Sequence, residues 1–309
     1  MGLVFVFCSV ILDRTGTISF VGNYLKSHHG PDIVIFIIFV ISGMIVNVNE
    51  IKSGIKDIPS TVVAIITILV ISPLAAGLLS LFPLEKGLII GLFIVAAMPT
   101  TLSSGVVMTG KAGGNIAHAL FITIFSNSIS IFSIPFVLSM LLSFSFRSQY
   151  IAIDHIAIMT RLFLLVMLPL TIGLINKKFF IKMKADTKIK MQVINQILVI
   201  GIVFMAASST AEMFNNNISQ IFLIVFFVSI FHVILLLFSF FSTRLLKIGK
   251  GRFESVIFMG SQKTLPLAII IQLTYFTDYD SALLVCVIHH FVHLMIDGYL
   301  CTRIKYKTR

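Results

Sequence analysis

Tryptophan is missing from these 309 residues, and cysteine occurs only three times, at Cys8, Cys286 and Cys301. The three are scattered through apolar stretches without CxxC spacing, which argues against a disulfide framework and against a structural zinc site. With no Trp, an interfacial belt has to rest on Tyr and on snorkelling Lys and Arg. Charge is scarce as well: 11% of residues are charged, against about 25% in soluble domains. No GxxxxGK[ST] loop is present, so ATP drive within this chain is not expected. Met1 to Leu12 is apolar but lacks the basic n-region and small-residue cleavage site of a signal peptide.

What remains is apolar. Hydrophobic residues make up 58% of the chain, and the mean hydropathy is +1.06. Hydropathy predicts ten spans in a single polytopic membrane domain, at roughly 1–22, 31–49, 58–80, 87–108, 115–142, 151–175, 191–211, 217–243, 254–272 and 280–301. The first is the weak one, because Asp13 and Arg14 intrude after a short apolar run. The net charge of +11 is not the footprint of a nucleic-acid binder, since the basic residues sit in short loops. They concentrate after even-numbered spans, as in the polar run from Asn176 to Lys190 and in the C-terminal tail. That asymmetry places both termini in the cytoplasm of a multi-pass protein of the cell (inner) membrane.

Two spans are broken by polar, proline-bearing segments. Met98-Pro99-Thr100-Thr101-Leu102-Ser103-Ser104-Gly105 interrupts the fourth, and Gly260-Ser261-Gln262-Lys263-Thr264-Leu265-Pro266 the ninth. Freed backbone groups in hydrocarbon cost several kcal/mol each, so such breaks survive only where they line an enclosed cavity. A cut between Ser143 and Asp154 leaves five spans on each side, in opposite orientations, with a break in the fourth of each. The pattern predicts an inverted five-plus-five repeat, about 1–142 and 151–301, with its site at mid-membrane. Thr100, Thr101, Asn115, Lys263 and Thr264 are the expected cavity lining.

The first break, continued through Thr109-Gly110-Lys111-Ala112-Gly113-Gly114-Asn115, and the second, from Gly260 to Leu265, resemble the bile acid:sodium symporter family in its branch of SBF-like symporters. The resemblance extends over nearly the whole chain; only the first span fits poorly. It implies an all-α membrane fold with two unwound helices crossing in a core domain beside a panel domain. It also implies secondary transport of a small organic anion, coupled to sodium, with no enzymatic reaction. Ser103, Ser104 and Thr123 fall on positions of one sodium site and Gln262 on the other. No other cofactor is implied. Oligomeric state and substrate are left open.

The chain departs from that pattern. An acidic residue expected four positions before Gln262 is Phe258, and Ala119 occupies another ligand position, four before Thr123. Glu254 is the nearest acid, at the expected helix start. Two sodium ions without a carboxylate would be poorly neutralised. Lys263 introduces a positive charge instead: a tethered cation, an anion holder, a group that loses its proton, or a lysine that snorkels or pairs structurally. In the tenth span, beside His290, the residues His289, His293 and Asp297 recur at i, i+4 and i+8 on one helical face. They suit a proton relay, with H+ as coupling ion in place of Na+, or a weak metal site. The plainer alternative is packing, each ring donating to a backbone carbonyl. His118 and His232 read as packing residues, Arg161 as snorkelling or paired with Asp154, and Ser126, Asn127 and Ser128 as polar lining or interhelical glue.

Overall fold

The computed structural model describes residues 9, 13, 16–45, 57–101, 103–146, 153–177, 185–216 and 218–307. Every regular element among them is helical. In chain order these are α1 (Thr17–Ser27), α2 (Gly30–Ile45), α3 (Ile58–Leu79), α4 (Lys86–Ala97), α5 (Ser104–Lys111) and α6 (Ile116–Ser145). There follow α7 (His155–Asn176), α8 (Ala185–Asn216), α9 (Ile218–Leu245), α10 (Arg252–Ser261), α11 (Leu265–Tyr275) and α12 (Asp280–Lys307). Among the described residues, seven spans are long and apolar enough to cross a bilayer, α10 and α11 together forming one of them; the bent pair α1–α2 makes an eighth if it counts as one. The protein is a multi-pass membrane protein.

Local chemistry sets the ends. Asp57 caps α3 through the Ser60 N–H, and Asp154 caps α7 through the Ala157 N–H. α3 and α7 each widen into a π-turn, Thr67–Ile71 and Phe163–Met167, immediately before Ser72-Pro73 and Leu168-Pro169. Each proline lacks the N–H that a regular turn would use. Between α1 and α2 the chain bends by 72°, with His29 in the left-handed region at φ 58°.

Three expectations shift and one holds. Apart from Ser9, residues 1–12 of the first span lie outside the described residues; the observed helix α1 starts at Thr17, after Gly16, and runs through the expected loop to Ser27. The polar run 176–190 is not all loop, because α8 already begins at Ala185; Lys178, Lys182 and Lys184 lie outside the described residues. Arg161 pairs with Asp32 of α2, at 2.8 and 2.9 Å, while Asp154 serves as a helix cap. The fourth span is two short helices, α4 and α5, with the break between them.

The helices pack in two groups. α1, α2, α7 and α8 pack on one another, and α3–α6 pack with α9–α12. The groups meet where α8 lies on α11 and α12, where α2 lies on α11, and where α7 lies on α6. At the centre of the second group, α4 is buried from Gly87 to Ala97 and α11 from Leu265 to Gln272. Neither has a polar face because neither reaches lipid. The outer helices instead expose Phe132, Phe136 and Met140 on α6 and Phe222, Phe226 and Phe241 on α9, a surface suited to hydrocarbon.

Candidate functional site: the two helix breaks

The two breaks touch. The Thr264 N–H donates to the Pro99 carbonyl at 2.9 Å, so the backbone freed by one interruption is satisfied by the other. α4 ends at Ala97, where Met98 turns extended before Pro99. α10 ends the same way, with Gln262 extended. The freed carbonyls of the first break find partners on α6: Thr123 Oγ1 donates to Thr101 O at 3.3 Å, and Asn127 Nδ2 donates to Thr100 O at 3.3 Å. α6 is therefore the side wall that makes the first break tolerable.

Lys263 is fully enclosed at the crossing. Its Nζ donates to Ile68 O at 3.0 Å, Ala96 O at 3.2 Å and Met98 O at 2.9 Å. Three carbonyl acceptors match the three N–H donors of an ammonium group. They are the carbonyls of the α3 π-turn and of the C-terminal end of α4, where the helix dipole favours a cation. Lys263 does not snorkel, and it pairs with no acid among the described residues.

Gln262 joins the second break to the first. Its Oε1 accepts from Thr101 Oγ1 at 3.0 Å and from Ser104 Oγ at 2.9 Å. Its Nε2 donates to Asp297 Oδ2 at 2.7 Å. Asp297 Oδ1 in turn lies 2.9 Å from His232 Nε2, and both of those side chains are fully buried. The carboxylate missing at Phe258 thus arrives from α12. Phe258 packs with Ala112 and with Cys301, which lies one turn beyond Asp297 on the same helix.

A cavity of about 480 Å³ opens between the two helix groups at this point. Thr101, Ser103, Ser104, Thr264 and Pro266 bring both breaks to its wall, His290 lines it from α12, and Lys111 stands at the far end of α5. Ile38 and Phe39 of α2, with Asn195, Gln196 and Val199 of α8, form the facing side. Thr123 and Ser103 line a smaller adjoining pocket.

Of the residues expected in the site, Thr100, Thr101, Ser103, Ser104, Thr123, Gln262, Lys263 and Thr264 gather at the crossing. Asn115 does not: its Oδ1 accepts the His118 N–H and caps α6. Glu254 sits at the start of α10, accepting the Gly251 N–H. His118 is satisfied by Ser255 and Thr61, as a packing residue should be. His232 is more than that, since it holds Asp297. His289 and His293 share a face, with ring centroids 5.3 Å apart, yet Asp297 bonds to His232 and Gln262. The rings do not each find a carbonyl: His289 Nε2, His290 Nδ1 and both nitrogens of His293 lack a hydrogen-bond partner among the described residues. The His289 carbonyl lies near the His293 ring without hydrogen-bond geometry. Among the described residues no group of three or more His, Cys, Asp or Glu is arranged to hold a metal ion. Sequence reading missed Asn195 and Gln196, an adjacent amide pair inside the apolar stretch from Val193 to Ala207, which was the available signal.

The model of the SBF-like CPA transporter family matches residues 2–306. A protein of Arabidopsis thaliana named a probable sodium/metabolite cotransporter, BASS4 of the chloroplast, is 31% identical over 85% of this chain and 63% of its own length. Sodium/bile acid cotransporter 7-A of Xenopus laevis is 26% identical over 99% of this chain and 90% of the relative. Sodium/bile acid cotransporter 7 of Gallus gallus is 27% identical over 88% and 80%. The chain spans less than two thirds of the plant relative and most of the animal ones. With a family match across almost its full length, the chain belongs to the SBF-like CPA transporter family, membrane transporters and not enzymes, within the bile acid:sodium symporters.

Proposed function

We propose that this protein is a secondary transporter that moves an organic anion by alternating access, coupled to a cation, with the two crossing helix breaks as its site. The observation that carries this reading is the Thr264–Pro99 hydrogen bond beside a cavity lined by both breaks. Broken helices that meet over a polar cavity are how transporters place a binding site inside a bilayer. The relatives named as sodium/bile acid and sodium/metabolite cotransporters support cation coupling and a small solute.

Each residue has a role in this reading. Ser103, Ser104, Thr123 and Gln262 offer hydroxyl and amide oxygens to a coupling cation. Thr101 and Thr264 present hydroxyls to the anion, and the N-termini of α5 and α11 face it with their positive dipole ends. Lys263 supplies a fixed positive charge behind the crossing. The group α1, α2, α7 and α8 is the panel and the remainder the core that moves against it. Taking α4–α5 and α10–α11 as one span each gives ten passes, five plus five, with a break in the fourth of each set. By the distribution of Lys and Arg, both termini face the cytoplasm of the cell membrane.

The test is a thermal-melting screen of the purified protein across Na⁺, Li⁺, K⁺ and pH, with taurocholate and a panel of small organic acids. A ligand that binds the folded state raises the melting temperature by mass action. We expect at least one anion to do so, and a coupling cation to enlarge its effect. A protein indifferent to every anion under every cation condition sinks the reading.

A further inference from the structure

We infer that the coupling cation is a proton, held by the buried His232–Asp297 pair and exchanged with the cavity through His293 and His290. This rests on the transporter reading above, names the ion, and moves it from the oxygens of Ser103, Ser104, Thr123 and Gln262 to the buried pair that Gln262 contacts.

Three observations converge. His232 and Asp297 are 0% exposed and 2.9 Å apart, and Asp297 continues through Gln262 to the hydroxyls of Thr101 and Ser104. Loading of the pair is therefore felt at the first break through two side-chain steps. Second, buried polar atoms are almost always hydrogen-bonded, yet His232 Nδ1, His290 Nδ1, His289 Nε2 and both His293 nitrogens find no partner among the described residues. Four buried imidazoles with free nitrogens in one place are costly as packing and well suited to passing a proton. Third, they form a route. His290 lines the cavity, its ring centroid is 4.7 Å from that of His293, and His293 is 5.9 Å from His232. At such separations a ring turn or one bridging water closes each gap.

The step balances as proton movement alone. A hydronium ion in the cavity gives a proton to His290 and becomes water; His290 becomes imidazolium and passes a proton to His293. His293 passes one to His232 Nδ1, and the donor rings return to neutral. The loaded pair is imidazolium and carboxylate, net zero; the unloaded pair is imidazole and carboxylate, net minus one. The ammonium of Lys263, set by its three carbonyls, adds plus one. Unloaded, the site sums to zero; with one proton and one monovalent anion it sums to zero again. Net charge in a low-dielectric site is expensive, so proton and anion load together. Other titratable groups on the elements packed against α12 are Lys86 of α4, Lys111 of α5 at the cavity, Lys190 of α8, Arg244 of α9 and Tyr275 of α11, and on α12 itself Asp280, Cys286, His289, Tyr299, Cys301 and Arg303. α8 contributes Asn195 and Gln196 to the cavity, neither of which titrates.

Ring-¹⁵N histidine NMR of the full-length protein in Na⁺-free detergent solution tests this without any substrate. His28, His29 and His155, none of them buried, are first replaced by Gln to clear the spectrum. We expect a ring-nitrogen signal that changes with pH, lost in His232→Gln and displaced in Asp297→Asn. Asp297→Glu, which keeps the carboxylate, serves if the Asn variant does not fold, and should displace the same signal. No titrating imidazole, or a titration unchanged by these variants, overturns the proposal. So does a signal that responds to added Na⁺ at fixed pH and loses that response in Asp297→Glu, which would make the pair a sodium site. A proton titration found beside failure of every anion in the melting screen would sink the transport reading and leave the proton site standing. The reverse outcome would sink the proton alone.

Discussion

The side-chain nitrogen of Lys263 stands 2.9 Å from the carbonyl oxygen of Met98, so one helix break supplies the charge that closes the other. Replacing Lys263 by Met keeps much of the volume and removes all three donors. The carbonyls of Ile68 and Met98 would be left buried and unpaired, at roughly 1–3 kcal/mol for each orphaned group, while the Ala96 carbonyl keeps the Ser72 hydroxyl. We expect the variant to insert in the membrane, to melt at lower temperature than the parent and to lose transport of whichever anion stabilises the parent. Full activity in Lys263→Met would remove the lysine from the mechanism. Melting curves and proteoliposome uptake on the same preparation read both effects.

Gly105 is where the two breaks come closest to a side-chain clash. A Cβ there would stand 2.8 Å from Met259 Sδ, 3.0 Å from Thr101 Oγ1 and 3.2 Å from Gln262 Oε1. The thioether can swing away, but the Thr101 hydroxyl and the Gln262 amide are held in one hydrogen-bonded cluster with Ser104. Gly105→Ala should therefore cost about 1–3 kcal/mol as an overpacked core position. Its larger effect should be on ligand-induced stabilisation, because the displaced groups are the site itself. Comparing the melting shift produced by the anion in variant and parent separates the two contributions.

How much of this was legible beforehand differs from group to group. The breaks were plain, because Pro99, Ser103, Gln262 and Lys263 are polar or helix-breaking in stretches that are otherwise continuous hydrocarbon. Their crossing was implied by the family resemblance, and the Thr264–Pro99 bond brings the two breaks into contact. The carboxylate was not legible. Asp297 is 35 residues from Gln262, and no local pattern says that α12 turns it toward the break instead of toward His293. The same blindness to tertiary pairing gave Arg161 the wrong partner, Asp154 being near in sequence and Asp32 near in space. Asn115 looked like cavity lining because it is polar in an apolar stretch; its position just before α6 makes it a cap.

In the other helix group, α2 and α7 approach until backbone meets backbone. A Cβ on Gly173 would lie 2.1 Å from the Val40 carbonyl oxygen, and one on Gly43 would lie 2.3 Å from the Leu170 carbonyl oxygen. Small residues at such crossings are what let membrane helices pack closely. Backbone atoms have no rotamer to escape into, so Gly173→Val should prise the helices apart and cost more than about 3 kcal/mol or prevent folding. Gly201 of α8 is the control: among the described residues, no atom lies within 4 Å of where its methyl group would stand. Gly201→Ala should be neutral or stabilise by up to about 1 kcal/mol, since Ala is the better helix former. Thermal melting of both variants checks the pair of expectations, and equal losses would contradict the packing described.

Val199 faces the cavity from α8, opposite the hydroxyls of Thr101 and Ser104. A tryptophan there would project into about 480 Å³ of open volume, so it would displace solvent without overpacking a core. Asn195 and Gln196 line the same wall and offer carbonyl oxygens to the indole N–H, which keeps the new ring from carrying an unpaired donor. If the anion travels through this space, Val199→Trp should keep the parent's melting temperature within a few degrees and lose anion-induced stabilisation and uptake together. Val199→Ala, which widens the cavity, should retain both. Uptake by the Trp variant equal to that of the parent would place the path elsewhere, because a filled cavity between the two helix groups leaves no room for the anion between the breaks and α8.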